Sequence, residues 1–211
     1  MSFFNKFKMS ILLFFTFFLP IMYNIYLLKL YTSFVCMVCW MEFYKQIKTD
    51  MYTDYKHLIV FYWLIFPIFV VNILVPIQNC WDIITITIFS DLIQQISNRT
   101  FVYLNIYNKH VKNIMLYNPF PFLSPNKTLV GYLGGTFTLL LSYFYDYNVF
   151  IIFSFYISGC MGDLFASYFK RIQKIDNYSN LLGSHGGFLD RFDAILFNLH
   201  LLFIYSFFIQ L

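Results

Sequence analysis

The sequence predicts an all-α integral membrane protein with about seven transmembrane helices, within a range of six to eight. Hydrophobic residues make up 60% of its 211 residues, and charged residues only 11%. A bilayer core about 30 Å thick is crossed by about 20 apolar residues of helix, and the chain repeatedly approaches that length. A soluble domain of this size could not hide so much continuous apolar sequence in one core.

Seven apolar segments are candidates for membrane-spanning helices. They lie near residues 10–28, 30–44, 58–78, 80–97, 128–145, 148–168 and 192–210. The second segment is short and is interrupted near its end by Glu42, which is why the predicted count has a range. All eight glycines fall between Gly131 and Gly187, and glycine lets backbones approach one another or a ligand closely. We therefore divide one membrane domain into amino-terminal helices, 1–79, and a candidate catalytic region, 80–211.

The basic residues predict how the chain is oriented in the bilayer. If the amino terminus is cytoplasmic, alternation places the segments 45–57, 98–127 and 169–191 on that same side. Thirteen of the fourteen Lys and Arg residues then lie on it, and only Lys29 does not. Such a bias is typical of cytoplasmic loops, so the long polar loops 98–127 and 169–191 are predicted to be cytoplasmic. The bases are scattered rather than collected in one patch, which argues against nucleic acid as a partner.

Three carboxylates form the sharpest candidate site. Asp190 and Asp193 are three residues apart and share one face of a helix, while Asp163 stands near the end of the preceding apolar segment. Carboxylates brought together near a bilayer repel one another unless a cation compensates, and hard oxygen ligands suit Mg²⁺. The alternative, left open by spacing alone, pairs these acids with nearby bases as topological anchors.

Two short motifs between these acids suggest anion binding. In His185-Gly186-Gly187 the glycines can free backbone N–H groups to approach an anion, although a tight turn gives the same pattern. Lys170 and Arg171 could grip a phosphate, or could equally be a positive stop at the membrane edge.

A second polar island precedes the fifth apolar segment, running from Ser124 to Gly135. Thr128 can cap the following helix, and the glycines of this island allow close helix packing. Lys127 opposes the dipole of that helix, which makes more sense if an anion binds there. Asp91 is a further acid inside an apolar segment and needs a partner, a metal or a water-filled cavity.

Taken together, these motifs resemble the pattern of CDP-diacylglycerol synthases, also called phosphatidate cytidylyltransferases. The resemblance covers about residues 80–210. It rests on five segments: Ser90-Asp91 through Arg99, Ser124 to Gly135, Gly162-Asp163-Leu164, Ser167-x-Phe169-Lys170-Arg171 and His185-Gly186-Gly187-Phe188-x-Asp190-Arg191-Phe192-Asp193. The chain departs from the pattern at Asp176-Asn177, where the family has Lys-Asp, at Gly183-Ser184, where it has Pro-Gly, and at Asn98, where it has Gly.

The resemblance implies transfer of CMP from CTP to phosphatidic acid, with pyrophosphate released and CDP-diacylglycerol left in the membrane. It implies Mg²⁺, with K⁺ as a possible second cation, held by Asp163, Asp190 and Asp193. The implied catalytic residues are these three with Lys170 and Arg171. The implied substrate-binding residues are Asp91, Ser124, Lys127, Thr128, His185, Gly186, Gly187 and Arg191.

The same resemblance implies a multi-pass protein of the endoplasmic reticulum in a eukaryote or of the cytoplasmic membrane in a bacterium. The family often forms homodimers, so a homodimer is a further expectation. Two other functions stay open from the sequence: a CTP-dependent kinase of a polyprenol or other lipid alcohol, and a membrane homologue that has lost catalysis.

Overall fold

The computed structural model describes residues 25–46, 54–74, 77–103, 109–125, 127–144, 147–183 and 186–209. Every regular element in these ranges is helical, which confirms the predicted all-α class. The seven α-helices are α1 (Ile25–Gln46), α2 (Asp54–Phe69), α3 (Ile77–Tyr103), α4 (Lys109–Met115), α5 (Leu129–Gly135), α6 (Val149–Gln173) and α7 (Leu189–Ile209). A π-helical segment, Val70–Leu74, continues α2, and a 3₁₀ segment, Thr136–Tyr143, continues α5.

Two helices in the described ranges are long and apolar enough to cross a membrane. They are Tyr26–Gln46 within α1 and Val149–Gln173, which is α6. Two shorter apolar stretches, Leu58–Asn72 and Leu129–Tyr143, also occur. The structure therefore has helices of membrane type, while the predicted number of seven spans remains a prediction.

The predicted break between the first two apolar segments is wrong. Helix α1 runs without interruption through residues 28–30, so Lys29 lies inside a helix and not in a loop. Its ammonium donates a hydrogen bond of 2.8 Å to the backbone oxygen of Asn72 in the π segment. A charge inside an apolar helix is tolerated here because it finds an acceptor on the neighbouring element. Most of the predicted segment 10–28 lies outside the described residues.

The predicted segment 128–145 changes helical type halfway along. Hydroxyl groups in its second half bond to the carbonyl three residues earlier, from Thr136 to Leu133, from Thr138 to Gly135 and from Ser142 to Leu139. The second half is wound as a 3₁₀ helix, which rises about 2.0 Å per residue against 1.5 Å in an α-helix. Helix α5 and this extension together reach about 26 Å, close to the thickness of a bilayer core.

Glycines bring α5 against α3, where the sequence predicted close helix packing without a named partner. A methyl group at Gly134 would overlap the side chain of Ser97, and one at Gly135 would lie 2.8 Å from Cγ of Gln94. The approach places the beginning of α5 beside the carboxyl-terminal half of α3. Thr128 then caps α5 from its own side chain and also donates to Oδ1 of Asn98, at 2.9 Å.

We expect Gly134→Ala to lower the free energy of unfolding by about 1–3 kcal/mol, because the added methyl group overpacks the contact with α3. The measurement is the thermal unfolding midpoint in detergent. Leu133→Ala, at a neighbouring side chain that is about half exposed, is the matched control and should change the midpoint little. Equal midpoints for Gly134→Ala and the unaltered chain would contradict this close approach.

Three segments that are distant in sequence meet at one end of the helices, which we call the site end. Gln46, at the end of α1, donates to the backbone oxygen of Tyr178 in the α6–α7 loop (residues 174–188), at 2.8 Å. Nε of Arg171, near the end of α6, donates to the backbone oxygen of Leu123 ahead of α5, at 3.2 Å. The end of α1 and the two predicted polar loops therefore lie on the same side.

Candidate functional site

The first ion pair of the site joins the segment before α5 to α6. Nζ of Lys127 lies 2.5 Å from Oδ2 of Asp163, and both side chains are about a quarter exposed. The ammonium also stands 5.8 Å from the ring centroid of Tyr132. The sequence singled out Lys127 and Asp163 in separate motifs, and the structure brings them into direct contact.

The charge on Lys127 is maintained by its acidic neighbours. Burial disfavours the ammonium form, but the carboxylates of Asp163 and Asp91 outweigh this effect, so the pKa of Lys127 is raised above its ordinary value. The lysine is thus cationic throughout the physiological range. Asp91, whose partner the sequence could not name, lies within the electrostatic reach of Lys127, Asp163 and Arg191.

Asp163 and Asp193 are brought together by the close packing of α6 on α7. A methyl group at Gly162 would lie 2.8 Å from the backbone oxygen of Asp193 and 2.7 Å from Cβ of Phe197. Only glycine permits this approach, which explains why it precedes Asp163. The side chain of Asp193 is buried; Oδ1 accepts from the backbone N–H of Ala194, and Oδ2 has no hydrogen-bond partner.

Asp190, by contrast, has both oxygens occupied. Oδ1 accepts from Nζ of Lys170 at 2.9 Å, and Oδ2 accepts from the backbone N–H groups of Tyr178 and Gly187, each at 2.9 Å. The side chains of Lys170 and Asp190 are only 12% and 5% exposed. This pair fixes the α6–α7 loop between α6 and the first turn of α7.

Tyr178 is the centre of that loop. Its side chain is fully buried, its hydroxyl donates to the backbone oxygen of Ala166 at 2.8 Å, and its ring centroid lies 5.8 Å from Nζ of Lys170. Burial, together with the carboxylates of Asp190 and Asp193, raises the pKa of Tyr178, so the phenol stays neutral and remains a donor. No role for this tyrosine was predicted from the sequence.

The predicted three-carboxylate metal site is not assembled as a set. Among the residues that the structure describes, no three acidic, histidine or cysteine side chains are grouped closely enough to hold a metal ion. Asp163 and Asp193 fit a cation best, because they lie on the two closely packed helices and Oδ2 of Asp193 is buried without a partner. The magnesium site remains a prediction. Asp163 and Asp193 suit it better than Asp190, because both oxygens of Asp190 already accept hydrogen bonds.

The glycine pair of the His-Gly-Gly motif faces carboxylates of the protein itself. Gly186 has φ = 82°, and a methyl group there would lie 2.8 Å from Oδ2 of Asp190. At Gly187 a methyl group would lie 2.6 Å from Oε2 of Glu42. The backbone N–H of Gly187 donates to Asp190, whereas that of Gly186 donates to the backbone oxygen of Gly183; anion binding from a substrate stays a prediction. His185 lies outside the described residues.

The remaining predicted residues surround these pairs. Ser124 accepts through its backbone oxygen from Nδ2 of Asn118, at 2.8 Å. Arg171 holds Leu123 and also contacts Asp176 at 3.3 Å. Arg191 is exposed in the first turn of α7.

The structure also places the departure from the family pattern. The side chain of Asp176 is 97% exposed and contacts only the rim of the site through Arg171. Asn177 is also exposed but lies beside the loop glycines, because its Oδ1 would lie 3.1 Å from a methyl group at Gly186. The carboxylate that is displaced by one residue therefore faces solvent.

Glu42 is the site residue that sequence reasoning missed. It was read only as the end of an apolar segment, yet its side chain is buried and its carboxylate contacts the α6–α7 loop. Two signals could have found it. It is the single glutamate of the chain, and no other acidic residue precedes Asp50.

Apolar helices that enclose ionised pairs at one end define a helical protein of membrane type with a charged site. The chain belongs to the cytidylyltransferase family, whose sequence profile matches residues 5–209. The family suggested by the motifs is thereby confirmed. No solved structure matches the chain.

Curated relatives match a smaller part of the chain. A phosphatidate cytidylyltransferase of Aquifex aeolicus is 44% identical over 86 residues, which cover 37% of this chain and 33% of the relative. A phosphatidate cytidylyltransferase of Staphylococcus aureus (strain COL) is 41% identical over 95 residues, which cover 39% of this chain and 36% of the relative. A putative phosphatidate cytidylyltransferase of Mycoplasma pneumoniae is 42% identical over 83 residues, which cover 39% of this chain and 21% of the relative. The matched segment thus spans about a third or less of these relatives.

Proposed function

We propose that this chain transfers the CMP group of CTP to phosphatidic acid. An oxygen of the lipid phosphate forms a bond to the α-phosphorus of CTP. The bond from that phosphorus to the oxygen bridging to the β-phosphate breaks, pyrophosphate leaves, and CDP-diacylglycerol stays in the membrane. Family membership and the names of the relatives support this reaction.

One observation carries the proposal: Lys127, Asp163 and Asp193 meet at one end of the helices although they come from three separate motifs. A site for a polyanionic nucleotide needs fixed positive groups for the phosphates and acids to hold a divalent cation. Lys127 supplies the positive group, and Asp163 and Asp193 supply the acids. The phosphate of the lipid is largely ionised near neutral pH, so positioning and charge neutralisation are the main tasks and no strong base is needed.

The basic side chains bind the phosphates in this proposal. Lys127 and Lys170 are held in place by Asp163 and Asp190 before substrate arrives, which lowers the entropic cost of orienting them. Arg171 and Arg191 lie at the more exposed rim and offer bidentate contacts. Gly186 and Gly187 lie beside Asp190, and Ser124 and Thr128 belong to the segment that carries Lys127. A substrate contact from His185 is proposed from the resemblance alone.

Asp163 and Asp193 would hold Mg²⁺, which when bound would neutralise charge on the phosphates of CTP. The buried and unpartnered Oδ2 of Asp193 supports this assignment. Asp91 is close enough for its negative charge to act on Asp193. A K⁺ ion beside Mg²⁺ stays a prediction from the resemblance.

The bilayer placement is part of the same proposal. Large apolar side chains form an exposed stripe along α1 that suits lipid tails; it consists of Tyr26, Leu30, Phe34, Met37, Met41 and Tyr44. We propose that the site end faces the cytoplasm, as the distribution of basic residues predicts. Seven spans and a homodimer remain expectations of the proposal.

The test is an assay of the purified chain in vesicles that contain phosphatidic acid, with CTP and Mg²⁺ supplied. We expect CDP-diacylglycerol and pyrophosphate in equal amounts. The Aquifex aeolicus relative, assayed in parallel, serves as the positive control. Product from the relative and none from this chain would contradict the proposal and favour a homologue that has lost catalysis. Phosphorylation of a polyprenol in the same vesicles would favour the kinase alternative.

A further inference from the structure

Glu42 holds the start of α7 from a helix that is far away in sequence. Its side chain is 3% exposed. Oε1 accepts from the backbone N–H of Phe188 at 3.0 Å, and Oε2 accepts from the backbone N–H of Leu189 at 2.9 Å. The first N–H groups of a helix have no partner within the helix, and a carboxylate there is favoured by the helix dipole. Glu42 therefore acts as the cap of α7.

The same carboxylate also binds the α6–α7 loop. The hydroxyl of Ser179 donates to Oε1 of Glu42 at 2.5 Å, and one turn later Gln46 donates to the backbone oxygen of Tyr178. Two side chains of α1 thus tie the loop from the amino-terminal half of the chain.

Gly187 makes this approach possible. A methyl group there would lie within 2.6–2.8 Å of all three carboxylate atoms of Glu42, which is closer than real contacts allow. Asp190 contacts the backbone N–H of the same glycine from the other side, at 2.9 Å. The loop is consequently clamped between two carboxylates, one from α1 and one from α7.

We propose that Glu42 is a positioning residue, which sets the α6–α7 loop and the first turn of α7 so that the site can bind and turn over CTP. This inference rests on the proposed function. Asp190, Arg191 and Asp193 all lie in the first two turns of α7, so a shift at its start moves each of them. A misplacement of about 1 Å at a reacting centre can cost about 100-fold in rate.

The main test is Glu42→Gln. The amide keeps one acceptor oxygen and turns an N–H₂ donor toward N–H groups, so some of the three hydrogen bonds are lost. We expect kcat/KM for CTP to fall about 10- to 100-fold. Hydrogen exchange of the amides of Phe188 and Leu189, which donate to Glu42, should accelerate at least about 10-fold, since they lose an acceptor.

A control separates positioning from general loosening of α1. Leu28→Ala removes a buried side chain from the same helix, in the core cluster remote from the loop. It should lower the unfolding midpoint while leaving kcat/KM for CTP, measured on folded protein, within about 2-fold. A midpoint of Glu42→Gln no lower than that of Leu28→Ala, with activity lost only in Glu42→Gln, supports the inference.

Two milder or reciprocal variants keep the inference testable if Glu42→Gln does not fold. Ser179→Ala deletes one of the three hydrogen bonds, and a smaller loss of kcat/KM, about 3- to 10-fold, is expected. Gly187→Ala pushes against the carboxylate of Glu42 from the loop side. The double variant Glu42→Ala/Gly187→Ala should therefore lose less kcat/KM, on a logarithmic scale, than the two single variants lose together.

The outcomes distinguish this inference from the proposed function. An inactive wild-type chain would refute the function, while the exchange of the Phe188 and Leu189 amides still reports whether Glu42 holds them. An active chain in which Glu42→Gln retains kcat/KM within about 2-fold and leaves exchange unchanged would overturn the positioning role. Full additivity of Glu42→Ala and Gly187→Ala would also overturn it.

Discussion

Asp193→Asn should abolish most turnover and leave the fold intact. The carboxylate of Asp193 is buried, and one of its oxygens has no hydrogen-bond partner. Asparagine keeps the acceptor for the backbone N–H of Ala194 and removes a charge that Asp163 and Asp91 repel. We expect kcat to fall about 100- to 1,000-fold. Without Mg²⁺, the free energy of unfolding should be unchanged or higher by about 1–2 kcal/mol.

Calorimetric or fluorescence melting in EDTA and in Mg²⁺ tests whether Asp193 binds the metal, without reference to activity. A ligand that binds the folded state raises the melting midpoint, so Mg²⁺ should raise that of the unaltered chain and not that of Asp193→Asn. Asp82→Asn is the matched acid-to-amide control, since Asp82 accepts a hydrogen bond from the Tyr147 hydroxyl at 3.0 Å and has no part in the site. An equal Mg²⁺ shift in Asp193→Asn would refute the metal assignment.

Asp190→Asn should instead destabilise the protein, by about 2–4 kcal/mol. It breaks a nearly buried ion pair with Lys170 and turns an amide donor toward the backbone N–H groups of Tyr178 and Gly187. Removing one partner of such a pair leaves the other charge uncompensated, which costs more than removing both. Chemical unfolding in mild detergent measures the change.

A double-mutant cycle isolates the pair. Lys170→Met and Asp190→Asn together should be less destabilising than the sum of the two single changes, by about 1–3 kcal/mol. If the changes in the free energy of unfolding of the two single variants add up to that of the double variant, Lys170 and Asp190 do not stabilise each other. If Asp190→Asn melts at the temperature of the unaltered chain but has lost its response to Mg²⁺, Asp190 is a metal ligand after all.

Features that depend on local sequence were predictable. Continuous apolar segments predicted the helices, because a helix satisfies its backbone internally. The glycines inside α5 predicted close helix packing, since Gly134 and Gly135 have no side chain to keep the helices apart, and the structure shows that the partner is α3. Lys127 is singled out by the sequence because a base at a helix start opposes the dipole and needs an anion; in the structure it pairs with the carboxylate of Asp163, and its role in substrate binding stays a prediction.

Features that depend on contacts across the chain were not predictable. Glu42 and Leu189 are separated by 147 positions, and no spacing rule joins them. Asp190 and Asp193 look equivalent in sequence, three residues apart on one helix. Only packing shows that one faces Lys170 and the loop while the other is enclosed against α6. The continuity of α1 through Lys29 was missed for the same reason, because the acceptor on Asn72 comes from another element.

The position of the transferred label tests the central claim most directly. The chain is given phosphatidic acid and Mg²⁺ with CTP labelled in either the α- or the γ-phosphate, and the lipid is extracted. Cytidylyl transfer predicts label in the lipid from the α-phosphate alone, with the γ-label recovered in pyrophosphate. Label entering any lipid from the γ-phosphate, or from neither position while the Aquifex aeolicus relative transfers the α-label, would contradict the account.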